Sequence, residues 1–533
     1  MNNNKLQIKY PVGIQSFEKI RKGNFLYVDK TAPIYSLIRN DGYYFLSRPR
    51  RFGKSLLLST IEAYFKGHRQ LFKGLALDSL TDEWDPHPVL HLDLNNGTYQ
   101  RPIDLEVLLD FQLKEWEEKY EISREDDSPD ITVSLRFARV IKSAQAKTGR
   151  NVVILVDEYD KPLLNAFDNP ELADTYRNLL KAFYSNLKTM DAYIRIAVLT
   201  GVARFSKVSI FSDLNNLRDI SYTNEFSTIC GVTSEELVRY FQSGIRELGE
   251  EMNQSYEKTL ETLRQNYDGY HFSPKSPDIY NPFSLIYSFA NNELGTHWAE
   301  TGTPKFLVRL MQKEEWDISR LAPCEIGRRQ LEGAGIMEEN PIPVLYQTGY
   351  ITIKNYDPIF ETYTLDYPNK EVRQSFLEFL VPFYLYPKTF QTPFSIKHFI
   401  KDVNTGDARR FMKRMETLIA GVPYSEKGSA ESHFQNAVYL LFNLMGFYCK
   451  MEDRTSNGRI DLRLETAQHI FIIEFKINSS SQAAMNQIEE KKYWLPYLLA
   501  GKDIILIGAN FNTTERRLEK PVIKDLSTKE ELQ

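Results

Sequence analysis

Cysteine is nearly missing from this chain: Cys230, Cys324 and Cys449 are the only three in 533 residues. Scattered and odd in number, they support neither a disulfide framework nor a thiolate zinc site. An excess of one charge is missing too. Lys and Arg total 66 against 71 Asp and Glu, a formal net charge of −5, so a nucleic-acid surface would have to be a local patch. No apolar run approaches the roughly 18 residues of a membrane-spanning helix. The N-terminal stretch MNNNKLQIKYPVG has no apolar signal-peptide core. The expectation is a soluble, cytoplasmic protein with no membrane partner. Aromatics, by contrast, are plentiful, with 31 Tyr and 32 Phe, which argues against long disorder. The length suggests roughly three to four domains.

One further absence falls in the stretch that organises the chain. Tyr43 to Phe65 reads as a short apolar strand, a loop rich in arginine, and a helix opening at Gly53-Lys54-Ser55. Taken alone, that is either the second half of a phosphate-binding P-loop or an ordinary helix start. The position five residues before Gly53, where the full pattern has glycine, is Arg48. The candidate nucleotide-binding set is Arg50, Arg51, Phe52, Gly53, Lys54, Ser55 and Leu56. Backbone N–H groups at a helix start hold anionic oxygens, Gly53 allows a left-handed turn, and Lys54 can reach the terminal phosphates. Ser55 is a magnesium ligand candidate. About a hundred residues on, Asn151 to Asp160 (NVVILVDEYD) gives an unbroken apolar run closed by carboxylates. Such a run is a central parallel strand with both faces buried. Asp157 is then a magnesium-binding acid of Walker B type and Glu158 the residue that polarises the attacking water.

Between and around these segments, strands alternate with helices. Val89 to Leu94 and Ala192 to Leu199 read as strands; Ile103 to Tyr120, Val133 to Ala146 and Leu172 to Leu187 read as helices. An acidic loop, Glu125 to Asp127, separates two of them. The pattern predicts a parallel α/β sheet. Thr200, at the end of its strand, reads from the residues alone as a strand-ending Thr-Gly turn; its position also resembles that of the polar γ-phosphate sensor in P-loop ATPases of the additional-strand type, which would implicate it in nucleotide binding. Arg204 and Lys207 either neutralise phosphate or are solvated. Thr233 to Leu237 reads as a helix start. Val344 to Asp366 reads as a hairpin around an Asn-Tyr-Asp-Pro turn, part of a connector or of a nucleic-acid-binding winged helix, and Asn369 to Tyr386 is helical again.

The C-terminal segment carries a second chemistry. A helix over Ala430 to Met445 is followed by Gly458-Arg459-Ile460-Asp461, a short strand, and the strand His469 to Lys476. Residues two apart on a strand share a face, so Glu474 and Lys476 project together, and a hairpin brings Asp461 alongside. Two carboxylates can hold a divalent cation while the lysine orients water and offsets developing charge.

FLYVDKT (25–31), SRPRRFGKSLLLS (47–59), VVILVDEYDKPL (152–163) and LTGVARFSKVSIFSDLNNL (199–217) resemble the AAA-ATPase-like family of Bacteroidetes type. NYDGYHF (266–272), IYNPFSL (279–285) and WAETGTPKFL (298–307) resemble the segments after that family's core. The resemblance makes Arg48 a family feature, and implies a P-loop core of the additional-strand type, ATP and Mg²⁺ as cofactors, and a possible homo-oligomer. The C-terminal segment resembles the PD-(D/E)xK nuclease superfamily, which implies Gln487 as an active-site glutamine on a helix over Gln482 to Tyr493, and Glu431 or its rival Glu452 as an additional acid near the metal. The expected fold class is α/β multidomain: a P-loop NTPase core with a parallel sheet over 1–222, a helical lid and connector region with a small hairpin over 223–424, and a restriction-endonuclease-like α/β domain over 425–533. The expected function is an ATP-binding, ATP-hydrolysing protein whose Mg²⁺-dependent (or Mn²⁺-dependent) nuclease cleaves DNA or RNA under nucleotide control. The alternative is an ATP-driven conformational switch or scaffold whose C-terminal domain binds nucleic acid or a partner protein without cutting.

Overall fold

The computed structural model describes residues 8–123, 131–203, 211, 214, 216–298, 307, 311, 316–318, 321–332, 340–384, 392–420, 430–446, 450–456, 459–526 and 531–532, with 392–395, 450–456, 459–461 and 531–532 as backbone. The chain divides into two compact units, Met1–Leu310 with Pro323–Val372 and Met311–Ala322 with Arg373–Gln533.

The first unit is built on five parallel strands: β1 (Gly42–Ser47), β2 (Val89–Asp93), β3 (Val152–Asp157), β4 (Ile194–Gly201) and β5 (Leu217–Asp219). Their order is β2-β3-β4-β1-β5. The P-loop strand β1 and the acidic strand β3 are therefore separated by β4, the additional-strand arrangement. Every residue of β3 is buried, as its β-branched run requires of a central strand covered on both faces. The helices Asp104–Lys119, Val133–Thr148 and Pro170–Tyr184 cover the sheet through Leu105, Leu109, Phe137, Val140 and Phe183. The Phe137 and Phe183 rings stack with centroids 4.2 Å apart. The Val133–Thr148 helix starts where the Thr132 hydroxyl accepts from Leu135 N–H and stops at left-handed Gly149, the two signals its sequence carries.

A second apolar cluster in this unit gathers Val232, Leu237, Phe241, Leu263 and Phe289. Its first helix, Ser234–Tyr240, is fixed by a reciprocal capping box between Thr233 and Glu236. Glu236 also receives Lys30 Nζ at 2.6 Å. The small strands β6 (Val232–Thr233) and β7 (Ile279–Tyr280) pair here.

The expected hairpin is present with different bounds. Ile342–Thr348 is a helix closed by Gly349, and the strands are β9 (Thr352–Asp357) and β10 (Thr362–Asp366), with β8 (Cys324–Gly327) on the other side of β10. The turn falls at 358–361, because Asn355 to Asp357 pair within the ladder. Pro358 ends the strand where its missing N–H would have broken that ladder.

The second unit contains a mixed sheet in the order β11-β12-β13-β14-β16-β17: Lys450–Ser456, Arg459–Glu465, His469–Ile477, Asp503–Asn512, Val522–Asp525 and Glu531–Leu532. β15 (Arg517–Leu518) pairs with the end of β14. β13 and β14 are parallel, and the helix joining them, Ser481–Lys491, packs Met485 and Ile488 against Ile470, Ile472, Ile504 and Leu506. That helix ends at left-handed Lys492, so Tyr493 lies beyond it. The opposite sheet face, with Phe471, Phe475 and Phe511, is covered by the Ala430–Met445 helix through Phe434 and Phe442 and by Phe411 of the Ala408–Ala420 helix. Glu125 to Asp127, Arg204, Lys207, Gly458 and the last two residues of the helix expected to reach Tyr386 lie outside the described residues. Among the described residues, no helix is long and apolar enough to cross a membrane.

Candidate functional site

The candidate phosphate loop, residues 48–53, leaves the C-terminal end of β1 and opens the helix Lys54–Phe65 at left-handed Gly53, φ +92°. No side chain caps that helix, so its first N–H groups are available to an anionic ligand. Lys54 is buried, its Nζ 3.2 Å from the Arg48 carbonyl, 3.4 Å from the Pro49 carbonyl and 3.4 Å from Glu158 Oε1. A cation turned onto backbone carbonyls and one carboxylate is placed to exchange those partners for phosphate oxygens.

The acidic end of β3 lies across from it. Asp157 is buried and accepts the Thr200 hydroxyl at 2.6 Å. The topology explains this pairing, since β4 runs between β1 and β3 and delivers Thr200 to both. Glu158 has φ +53°, a sparsely populated conformation for a side-chain-bearing residue that is found at functional turns. Asp93, at the end of β2, stands in register with Asp157. Burial raises its carboxyl above the ordinary value, and the charges of Asp157 and Glu158 add to this.

Sequence reasoning misses Asp160. It is fully buried, and its Oδ2 accepts from Val202 N–H at 2.9 Å and Ala203 N–H at 2.6 Å. Burial, then the charge of Glu158, pushes it up to about 7. It ties the acidic turn to the chain just after Thr200. The signal that could have found it is the last carboxylate of the DEYD run.

Among the other expected nucleotide ligands, the side chains of Arg51 and Phe52 are engaged elsewhere. The Arg51 guanidinium lies 4.6 Å from the centroid of the Phe283 ring. Phe52 is 1% exposed and meets Tyr270 and Phe272 edge-on. Both still contribute backbone to the loop. Arg50 is half-buried, Ser55 half-buried at the first helical turn, and Leu56 lines an apolar cavity of about 90 Å³ beside Gly53, together with Tyr27, Lys30, Ile229 and Cys230.

In the second unit, β12 sets Asp461 directly opposite Glu474 on β13. Glu474 is fully buried, with Lys476 Nζ 3.0 Å from its Oε1. Lys476 Nζ also donates to Gln487 Oε1, and Gln487 Nε2 donates to the Tyr493 hydroxyl at 3.3 Å. The connecting helix thus brings Gln487 to the lysine. Glu431 comes from another element. It sits in the first turn of a helix on the opposite sheet face and accepts from Gln435 at 3.2 Å. The backbone of its rival Glu452 lies on β11, opposite Arg463.

Family models match both halves of this geometry. Residues 11–211 match the model described as predicted AAA-ATPase, and residues 429–520 match the PD-(D/E)XK nuclease superfamily. The chain is 34% identical to the "Uncharacterized protein in vnfD 5'region" of Azotobacter chroococcum mcd 1, over 97% of this chain and 99% of that protein. Among solved structures it is similar to the ORC2 protein of Aeropyrum pernix, at a TM-score of 0.25 and 12% identity, over 64% of this chain and 87% of that one. The chain belongs to the predicted AAA-ATPase family and carries a PD-(D/E)XK nuclease superfamily domain at its C-terminus.

Proposed function

We propose that this protein binds and hydrolyses ATP at the Gly53–Ser55 site and cleaves nucleic-acid phosphodiesters at the Glu474–Lys476 site, with nucleotide controlling cleavage. The observation that carries the nuclease half is the lysine: Lys476 Nζ is held jointly by a buried carboxylate and a glutamine brought in from another element. An exposed strand with alternating charges would not need that second partner.

At the first site, the uncapped helix start and Lys54 hold the β- and γ-phosphates, and the apolar cavity beside Gly53 takes the base. Asp157 and Ser55 would hold Mg²⁺, which would offset charge on the phosphates. Glu158 orients the attacking water, and Thr200 fixes Asp157. At the second site the two acids, Asp461 and Glu474, suit a hard divalent cation such as Mg²⁺ or Mn²⁺, which would supply Lewis-acid polarisation of the phosphate. Lys476 orients the water and balances the charge that builds on the phosphate oxygens, while Gln487 keeps the ammonium in place.

The test is cleavage of supercoiled DNA, linear DNA and structured RNA with Mg²⁺ or Mn²⁺, with and without ATP, comparing wild type with Lys476→Ala and Lys54→Ala. The proposal expects cutting that Lys476→Ala abolishes and whose ATP dependence Lys54→Ala removes. Nucleotide binding with no cutting under any condition would refute the nuclease half and leave a nucleotide-driven switch.

A further inference from the structure

The loop that replaces the usual glycine-rich sequence has side chains at every position from Arg48 to Phe52, and those described contacts lead to residues far along the chain. Arg48 is 1% exposed. Its guanidinium donates to the Ser221 carbonyl at 2.9 Å and the Phe226 carbonyl at 3.0 Å, and its centre lies 4.1 Å from the centroid of the Phe272 ring. Phe52 meets the stacked rings of Tyr270 and Phe272 edge-on, with ring centroids 4.8 and 5.3 Å away. Trp298, itself buried, donates its indole N–H to the Arg50 carbonyl at 3.2 Å. Its own backbone N–H is fixed on Glu371 at 2.9 Å. Pro49 packs so closely on Gly349 that a Cβ there would come within 2.7 Å of the proline ring.

A glycine-rich loop gets its shape from backbone permissiveness; here, buried side chains hold the shape from outside. The two segments that supply most of the grip, Asn266 to Phe272 and the one opening at Trp298, are motifs for which the nucleotide chemistry itself has no use. We infer that Arg48 and Trp298 are positioning residues for the phosphate loop: Arg48 anchors its start on the Ser221 and Phe226 carbonyls, Trp298 holds the Arg50 carbonyl, and together they transmit nucleotide occupancy to the 266–298 region. The inference rests on nucleotide binding at Gly53–Ser55. Arg48 is thus a required strut, and glycine at that position would not improve the loop.

The experiment is equilibrium binding of a fluorescent ATP analogue with Mg²⁺ to the full-length protein, read beside intrinsic tryptophan emission, for wild type, Arg48→Gly, Arg48→Lys and Trp298→Phe. Circular dichroism establishes that each variant is folded. Arg48→Gly is expected to bind at least 10-fold more weakly than wild type, with Arg48→Lys in between, since lysine keeps the charge and loses the forked donors. Trp298→Phe keeps the ring and loses one hydrogen bond, and is expected to bind about 3- to 10-fold more weakly. Nucleotide is expected to change tryptophan emission in wild type, and Arg48→Lys, which keeps Trp298, should show a smaller change at saturating analogue, an effect that a general loss of stability would not produce. If Arg48→Gly does not fold, the Trp298→Phe comparison decides alone. Wild-type affinity in Arg48→Gly and Trp298→Phe, with an unchanged emission response in Arg48→Lys, would overturn the strut while leaving nucleotide binding intact. A wild-type protein that binds no nucleotide would remove the underlying reading instead.

Discussion

Glu371 offers a sharp energetic test in the first unit. It is 2% exposed, accepts both the Ser284 hydroxyl (2.9 and 2.8 Å) and the Trp298 N–H, and burial nevertheless pushes it up to about 7 from an ordinary 4.5. The sign follows from proton counting. Between the unfolded and folded values the native state keeps the proton that the unfolded chain has lost, so stability falls as pH rises. The contribution is fully present below about 4.5 and is lost as pH rises through about 7. A tenfold difference in proton affinity is worth about 1.36 kcal/mol, so the two values above give a loss of about 2.5 kcal/mol between pH 5 and pH 8. Glu371→Gln removes the titration and keeps an acceptor for Trp298 and a partner for Ser284. Asp160, pushed up to about 7, and Asp268, up to about 6, have the same sign, so the variant is compared with wild type at each pH. Denaturant unfolding from pH 5 to pH 8 should show the two curves converging at low pH and the variant gaining on wild type as pH rises. Parallel curves would show that Glu371 ionises at its ordinary value and that burial does not dominate its environment.

Three further outcomes are expected. Thr200→Val removes the hydroxyl held by Asp157 at 2.6 Å. It should leave nucleotide affinity within about 3-fold while slowing single-turnover hydrolysis roughly 10-fold or more, in line with an orienting hydrogen bond worth about 1 kcal/mol or more; an unchanged rate would return Thr200 to the role of a strand-ending residue. Glu117→Ala leaves the buried Arg136, which donates to Glu117 from two nitrogens at 2.8 Å, with Asp110 as its remaining carboxylate partner. Calorimetry should record a loss of about 1.5–3 kcal/mol, and a loss below about 0.5 kcal/mol would count against a dry pair. Phe475→Ala empties the space between Phe434 and Phe442 and should cost about 3–5 kcal/mol, seen as a downward shift of the unfolding transition followed by cleavage activity, with nucleotide affinity unchanged.

Local chemistry makes much of this molecule legible. The run Val152 to Val156, four of its five residues β-branched, reads as a doubly buried strand, and β3 is that strand. The Thr233–Glu236 spacing announces its helix, and the alternation through Glu474 and Lys476 puts two functional groups on one face. Boundaries fail where tertiary packing outweighs local pattern. Ile342–Thr348 is apolar and contains β-branched residues, yet it is a fully buried helix, because burial on all sides erases the period that separates helix from strand. Glu431 follows only from the order of elements in the resemblance, and the sheet intervenes between its helix and Glu474.

The sequence by itself determined the local geometry of both candidate sites, since a helix start with Gly-Lys-Ser, an acid-tipped apolar strand and an E-x-K strand each encode their geometry within a dozen residues. Only the tertiary structure decided what stands beside them. It put Thr200 on Asp157 by threading β4 between β1 and β3, it brought Gln487 to Lys476, and it buried Arg48, which stands where the P-loop pattern has glycine, against Ser221, Phe226 and Phe272. The physical reason is range: backbone propensity and side-chain period act over a few residues, whereas the partners of Arg48 lie about 170 to 220 positions away and are chosen by how a sheet packs.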